Sequence, residues 1–145
     1  MKLVYCLLSV FLFVGCATRS QQAKTSILSG ELRELVGDFM PSPDLPKDLS
    51  GMPLKARIAI TTAVAAETNA IPFFNALPAR LVKEVKTDAK GIFRLRLPPG
   101  RYSVFVQLKE GWYANLIQDG LIQPVYLQKD STTSITIKVT PKATF

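Results

Sequence analysis

Period-two alternation dominates the middle of the chain. Phe93, Leu95 and Leu97 share one parity, and Arg94 and Arg96 hold the other. Tyr102, Val104, Val106 and Leu108 repeat the pattern. Pro98-Pro99-Gly100 separates the two runs as a reversal, and Asp88-Ala89-Lys90-Gly91 precedes them as an Asx-type turn. Pairing Leu97 with Tyr102, Leu95 with Val104 and Phe93 with Val106 puts all six on one face, which predicts a β-hairpin with its register fixed by burial. In that register Arg94 falls opposite Phe105 and, if the Asp88 turn closes a three-residue loop, near Glu84, giving it a cross-strand cation–π contact and an ion pair.

Similar runs occur on both sides. Ile27 to Val36, Lys55 to Thr62, Arg80 to Lys86, Ile122 to Gln128 and Ser134 to Thr140 all read as strands. Gly37 to Pro53 is too rich in proline for a helix or a central strand. Ala63 to Ala79 reads as a second long connection, carrying Ile71-Pro72-Phe73-Phe74. No stretch has a convincing helical period and no internal repeat is visible. The expectation is an all-β, antiparallel sandwich of about seven strands.

The start of the chain follows a different pattern. Lys2 precedes an almost wholly apolar run, Leu3 to Val14, which falls short of the roughly 20 residues needed to cross a bilayer as a helix. Residues 1–15 therefore read as a secretory signal peptide. The sequence Phe13-Val14-Gly15-Cys16 resembles the lipobox of bacterial lipoproteins, with Phe13 where leucine is usual. That resemblance implies cleavage before Cys16, a diacylglyceryl thioether on its sulfur and an acylated amine, often carrying palmitate. Several buried acyl chains, at about 0.8 kcal/mol per methylene, anchor a protein stably to a membrane. Ala17 rather than Asp after the cysteine implies, by Gram-negative sorting, the outer membrane; the expected location is the bacterial cell envelope. Residues 16–26 are polar and small, a tether, and 27–145 form the domain. Of the two cysteines, Cys6 leaves with the signal and Cys16 takes the lipid, so the domain has no disulfide. Loss of Lys2 with the signal leaves 17 basic and 11 acidic residues, a net charge of +6. Those charges either meet anionic head groups or stay solvated.

Several features recur in a familiar order: Gly30-Glu31-Leu32, Met40-Pro41, Lys55 to Thr62, Thr87-Asp88-x-x-Gly91-x-Phe93, Leu97-Pro98-Pro99-Gly100-x-Tyr102-Ser103-Val104 and Gly111-Trp112-Tyr113. Together they resemble the carboxypeptidase regulatory-like domain, an Ig/prealbumin-like (transthyretin-like) β-sandwich, over most of residues 27–145. The long Gly37–Pro53 and Ala63–Ala79 connections are departures. The resemblance implies no catalysis; such domains serve as folding, adhesion or docking modules.

The residue inventory narrows the chemistry. Without histidine, Ser-His-Asp and Cys-His catalysis and histidine metal sites are excluded. No Ser-x-x-Lys occurs, and Lys90 stands where a calcium loop would place an oxygen ligand. We therefore expect no enzyme, catalytic residue, metal or cofactor, and Asp88 as a turn former. Asn69, Asn75 and Asn115 all lie outside the last strand, so no Lys–Asn isopeptide crosslink is expected. Arg94, Arg96 and Arg101 beside Tyr102 and Phe105 have the composition of a nucleic-acid patch, but export and the local pairing of Arg94 argue against one. Two aromatic pairs, Phe73-Phe74 and Trp112-Tyr113, either cap an open end of the core or form an exposed anchor for a partner. They are the candidate binding residues, and Cys16 is the lipidation site. The expected function is a lipid-anchored, non-enzymatic accessory module binding an envelope protein; the alternative is a structural or adhesive module meeting glycan or lipid.

Overall fold

The alternating runs become strands of two facing sheets. The computed structural model describes residues 25–38, 50–67 and 72–144. The signal peptide, Cys16, nearly all of the tether, Met40-Pro41 and Asn69 lie outside the described residues. In chain order the strands are β1 (Ser26–Asp38), β2 (Met52–Pro53), β3 (Arg57–Thr62), β4 (Phe73–Phe74), β5 (Leu81–Lys86), β6 (Ile92–Leu97), β7 (Gly100–Leu108), β8 (Gly111–Tyr113), β9 (Ile117–Gln118), β10 (Leu121–Ile122), β11 (Pro124–Leu127) and β12 (Thr132–Thr144). Five of these have only two or three residues, which leaves seven of four or more, the number expected.

The first sheet is built on β1. β12 lies along one edge of β1, and β6 and then β2 along the other. The second sheet runs β4-β8-β7-β3-β5, with β11 sharing the β8 edge of β7. One pairing departs from the antiparallel expectation: β1 and β12 run parallel, Ile27 beside Thr132 through Glu34 beside Val139. Parallel neighbours need a long crossover, and here nearly the whole domain serves as one.

The predicted hairpin does not form. β6 pairs with β1, placing Leu97 beside Ser26, Leu95 beside Leu28 and Phe93 beside Gly30. β7 pairs instead with β3, placing Tyr102 beside Thr62, Val104 beside Ile60 and Val106 beside Ile58. The inward parity of all six side chains is as expected, and all six are buried. They meet face to face across the core rather than side by side in one sheet. Parity cannot distinguish the two arrangements, because each sends the same residues inward. The chain crosses between the sheets at Pro98-Pro99, a change of sheet that alternation alone does not encode. The Tyr102 hydroxyl donates to the Pro98 carbonyl at 2.8 Å and ties the crossing. Four residues separate donor and acceptor, as in the tyrosine corners of other sandwiches.

The second crossing, from β5 to β6, is also polar and local. Asp88 Oδ1 accepts from the amides of Lys90 (2.9 Å) and Ile92 (2.8 Å), so Asp88 is a turn former as expected. Gly91 closes this turn at φ +75° with its Cα against the Leu32 carbonyl, where a side chain would collide. The buried Thr87 hydroxyl donates to the Leu54 carbonyl (2.9 Å) and accepts from the Ala56 amide (2.8 Å), fastening this corner to the chain entering β3.

Arg94 is placed differently from expectation. It lies beside Ser29 on β1, away from Phe105 and Glu84. Glu84 instead pairs with Arg57 at 3.0 Å. The main core fills the space between the sheets, with Leu28, Leu32, Ile58, Ile60, Val104 and Val139 fully enclosed. Each such leucine or isoleucine side chain is worth about 2–5 kcal/mol against alanine.

Tyr102→Phe removes the crossing's hydrogen bond, and we expect a loss of about 1 kcal/mol in urea denaturation. Burial also raises the Tyr102 pKa above its usual 10.0. The neutral phenol's contribution is then complete below pH 10 and is lost as pH rises through the higher folded value. Denaturation midpoints followed from about pH 8 to 12 should fall less steeply in Tyr102→Phe than in the parent chain.

Candidate functional site

The two aromatic pairs come together. β4 adds to β8 as a two-residue ladder, Phe73 beside Tyr113 and Phe74 beside Trp112, closed by the Ala114 amide donating to the Pro72 carbonyl at 2.9 Å. Gly111 opens β8 at φ +135°, where a Cβ would lie 2.7 Å from the Phe74 carbonyl oxygen. This close approach allows β4 to dock.

Alternation then divides the pairs between two faces. Phe73 and Tyr113 point into the main core, ring centroids 5.2 Å apart. Tyr113 is buried, and its hydroxyl lies 3.0 Å from Thr140 Oγ1 and accepts from the Thr140 amide at 3.1 Å. Asn115 Nδ2 donates to the same threonine hydroxyl at 3.1 Å. These contacts stitch β8 to β12 across the open side of the sandwich. Phe74 and Trp112 face outward over the second sheet, where Phe74 meets the edge of Phe105 at 5.4 Å.

That outward face is itself covered. Ala59, Phe105, Ala114 and Ile122 form a second small core, with Val64, Leu77, Phe74 and Trp112 packed on it. The cover is the β9–β10 hairpin and the Ala63–Glu67 segment. Ile122 N–H donates to the Val64 carbonyl, and Ala66 N–H to that of Gly120, both at 2.9 Å. The hairpin turns at Asp119-Gly120 with φ of +52° and +71°, as a two-residue type I′ loop requires. Sequence analysis missed this layer. The Asp-Gly dipeptide between Ile117-Gln118 and Leu121-Ile122 is its signal, and the unbroken apolar runs Ile58-Ala59-Ile60 and Val104-Phe105-Val106 mark strands buried on both faces.

Among the described residues the first sheet is covered on one side only. Its outward face carries Ile92, Arg94 and Arg96 from β6, Ile27, Ser29, Glu31 and Arg33 from β1, and Thr132, Ser134, Thr136 and Lys138 from β12, in register. The β6 and β12 members are all exposed. Arg33 is held by Glu31 and by the Gly51 carbonyl. Arg94, Arg96 and Lys138 have no side-chain partner among the described residues.

Arg101 belongs to the other sheet, beside Tyr126 on β11. Tyr102 and Phe105 are buried. The arginines and aromatics that are close in sequence therefore form no common surface. Besides Tyr102, only Tyr126 among the described residues shows a displaced pKa. It is raised by desolvation and by its 3.0 Å hydrogen bond to Asp119, and moderated by Arg101. No cluster of three or more acidic, cysteine or histidine side chains suited to a metal occurs among the described residues.

No protein-family model matches the chain, nor does any curated protein. Among solved structures it is similar to the Bacillus anthracis TIE protein, at 15% identity and a TM-score of 0.39, over 80% of this chain and 16% of that one. It is also similar to GBS52, the minor pilin of the Gram-positive pathogen Streptococcus agalactiae, at 20% identity and a TM-score of 0.39, over 81% of this chain and 44% of that one. The chain thus spans less than half the length of either.

Truncation separates structural from surface aromatics here. We expect Phe105→Ala, at a fully buried ring, to cost about 3–5 kcal/mol in equilibrium unfolding. Trp112→Ala, at a half-buried one, should cost distinctly less.

Proposed function

We propose that this chain is a lipid-anchored, non-enzymatic module of the bacterial envelope, kin to carboxypeptidase regulatory-like domains, that works by surface contact as an accessory or adhesive unit. The observation that carries the reading is the unequal covering of its two sheets. The second sheet has apolar layers on both sides, while the first, among the described residues, leaves a cationic, hydroxyl-rich face open. A sandwich built in this way holds a surface in place.

The side-chain chemistry supports the same reading. The acidic groups near the open face are tied to cations: Glu31 to Arg33, and Glu34 to Lys142 at 3.1 Å. Asp88 is occupied by its turn. Each displaced tyrosine is engaged in a structural hydrogen bond, Tyr102 with the Pro98 carbonyl at its crossing and Tyr126 with the Asp119 carboxylate at the β9–β10 turn. Of the four aromatic candidates, Phe73 and Tyr113 pack in the main core, and Phe74 and Trp112, half-buried on the second small core, offer only the remaining part of each ring to a protein partner. The anchor is read from Cys16 and the residues before it.

Expression of the parent chain and of Cys16→Ser in a bacterial host tests the anchor. We expect the parent in the membrane fraction, with its N-terminal peptide starting at a Cys16 that carries diacylglyceryl and acyl mass. Cys16→Ser should retain its signal peptide and take up no labelled palmitate. A parent chain cleaved elsewhere and free of lipid refutes the anchor. Crosslinking in intact cells then tests for a protein partner, with a discrete adduct expected for an accessory subunit.

A further inference from the structure

We propose that the outward face of the β6–β1–β12 sheet lies on an anionic lipid surface, with Arg94, Arg96 and Lys138 against its head groups. The inference rests on the lipid-anchor reading for what brings this face to a membrane.

The register gives the face its shape. Arg96, Ile27 and Thr132 form one row, Arg94, Ser29 and Ser134 the next, and Ile92, Glu31 and Thr136 the third, with Arg33 and Lys138 beyond. At ordinary strand spacing and rise this patch measures about 10 by 20 Å. The three cations without a side-chain partner among the described residues sit in separate register rows and do not converge on a point. The one carboxylate among them, Glu31, is neutralised by Arg33. Cations spread along a sheet face complement an array of anionic head groups better than a single compact anion.

The apolar members point the same way. Ile92 is 44% exposed between β6's turn and Arg94, and Ile27 is half-buried beside Arg96. Isoleucine interspersed with long cationic side chains suits a boundary between head groups and acyl chains. None of the described residues on this face offers an aromatic ring on which a sugar could stack, so a glycan fits it less well.

The chain outside the described residues supplies the proximity. Thr25 follows Cys16 by nine residues, which reach at most about 30 Å when extended. That segment itself carries Arg19 and Lys24. It joins β1 at Ser26, at the foot of this face, so an anchor at Cys16 holds these cations within reach of the membrane.

The test is side-chain footprinting of the full-length protein on vesicles of phosphatidylcholine alone or with added phosphatidylglycerol. Arginines are modified with phenylglyoxal and lysines by acylation, and both are read by peptide mass spectrometry. On phosphatidylglycerol vesicles, labelling of Arg94, Arg96 and Lys138 should slow by about threefold or more and recover at high salt. Lys86, on strand β5 of the other sheet, and Lys109, in that sheet's β7–β8 turn, should label equally on both. R94E/R96E alters two exposed positions and should abolish the slowing at Lys138. Equal labelling of the three on both vesicle types overturns the proposal, as does slowing shared by Lys86 and Lys109. Slowing by soluble dextran sulfate, with none on phosphatidylglycerol vesicles, overturns it in favour of an anionic glycan. The lipid mass on the Cys16 peptide in the same digest scores the anchor separately. An unlipidated chain that still shows the three shielded cations supports this face and refutes only the anchor.

Discussion

In the first sheet, every strand hydrogen-bonds to β1 and to no other described member of that sheet. β12, β6 and β2 are neighbours only through it. The sheet therefore has no ladder until β1 is in place, and its hydrophobic side has no position until then. Its centre is packed to suit this role. Gly30 sits beneath the Phe93 ring, where a side chain would collide, and the ring covers backbone that glycine leaves bare. Leu28 and Leu32, on either side, have no exposed surface. Strand β12 joins this centre from about 100 residues further along the chain, so the sheet closes at high contact order and slowly.

The alternating residues were legible from sequence because burial writes itself into period two. Phe93, Leu95, Leu97, Tyr102, Val104 and Val106 all point inward as the pattern requires. Their partners were not legible, since two facing sheets and two paired strands present the same inward set to the core. The connection through Pro98-Pro99 crosses between the sheets, and nothing in the alternation on either side of it distinguishes that crossing from a hairpin turn. The error then moved Arg94. Assigned to Phe105 and Glu84, it was accounted for locally; beside Ser29 it stands free on an open face.

The candidate aromatics show a similar limit. Sequence proximity brought Phe73 to Phe74 and Trp112 to Tyr113, and the ladder between β4 and β8 brings the pairs to each other. Yet strand alternation sends one member of each pair inward and one outward, so the four rings never form one patch. The layer beneath Phe74 and Trp112 depends on pairing between Ala63–Glu67 and the β9–β10 hairpin, contacts between segments remote in sequence. The long connections that set this chain apart from the domains it resembles are thus partly structural, since one of them covers the second sheet.

The parallel union of β1 and β12 also gives the domain a mechanical character. The start of β1 and the end of β12 lie at opposite ends of one ladder of eleven register pairs. Tension between those two points runs along the strands, so it loads the ladder's hydrogen bonds together in shear instead of peeling them one at a time. A domain held by its first strand and pulled from its last resists through its longest seam.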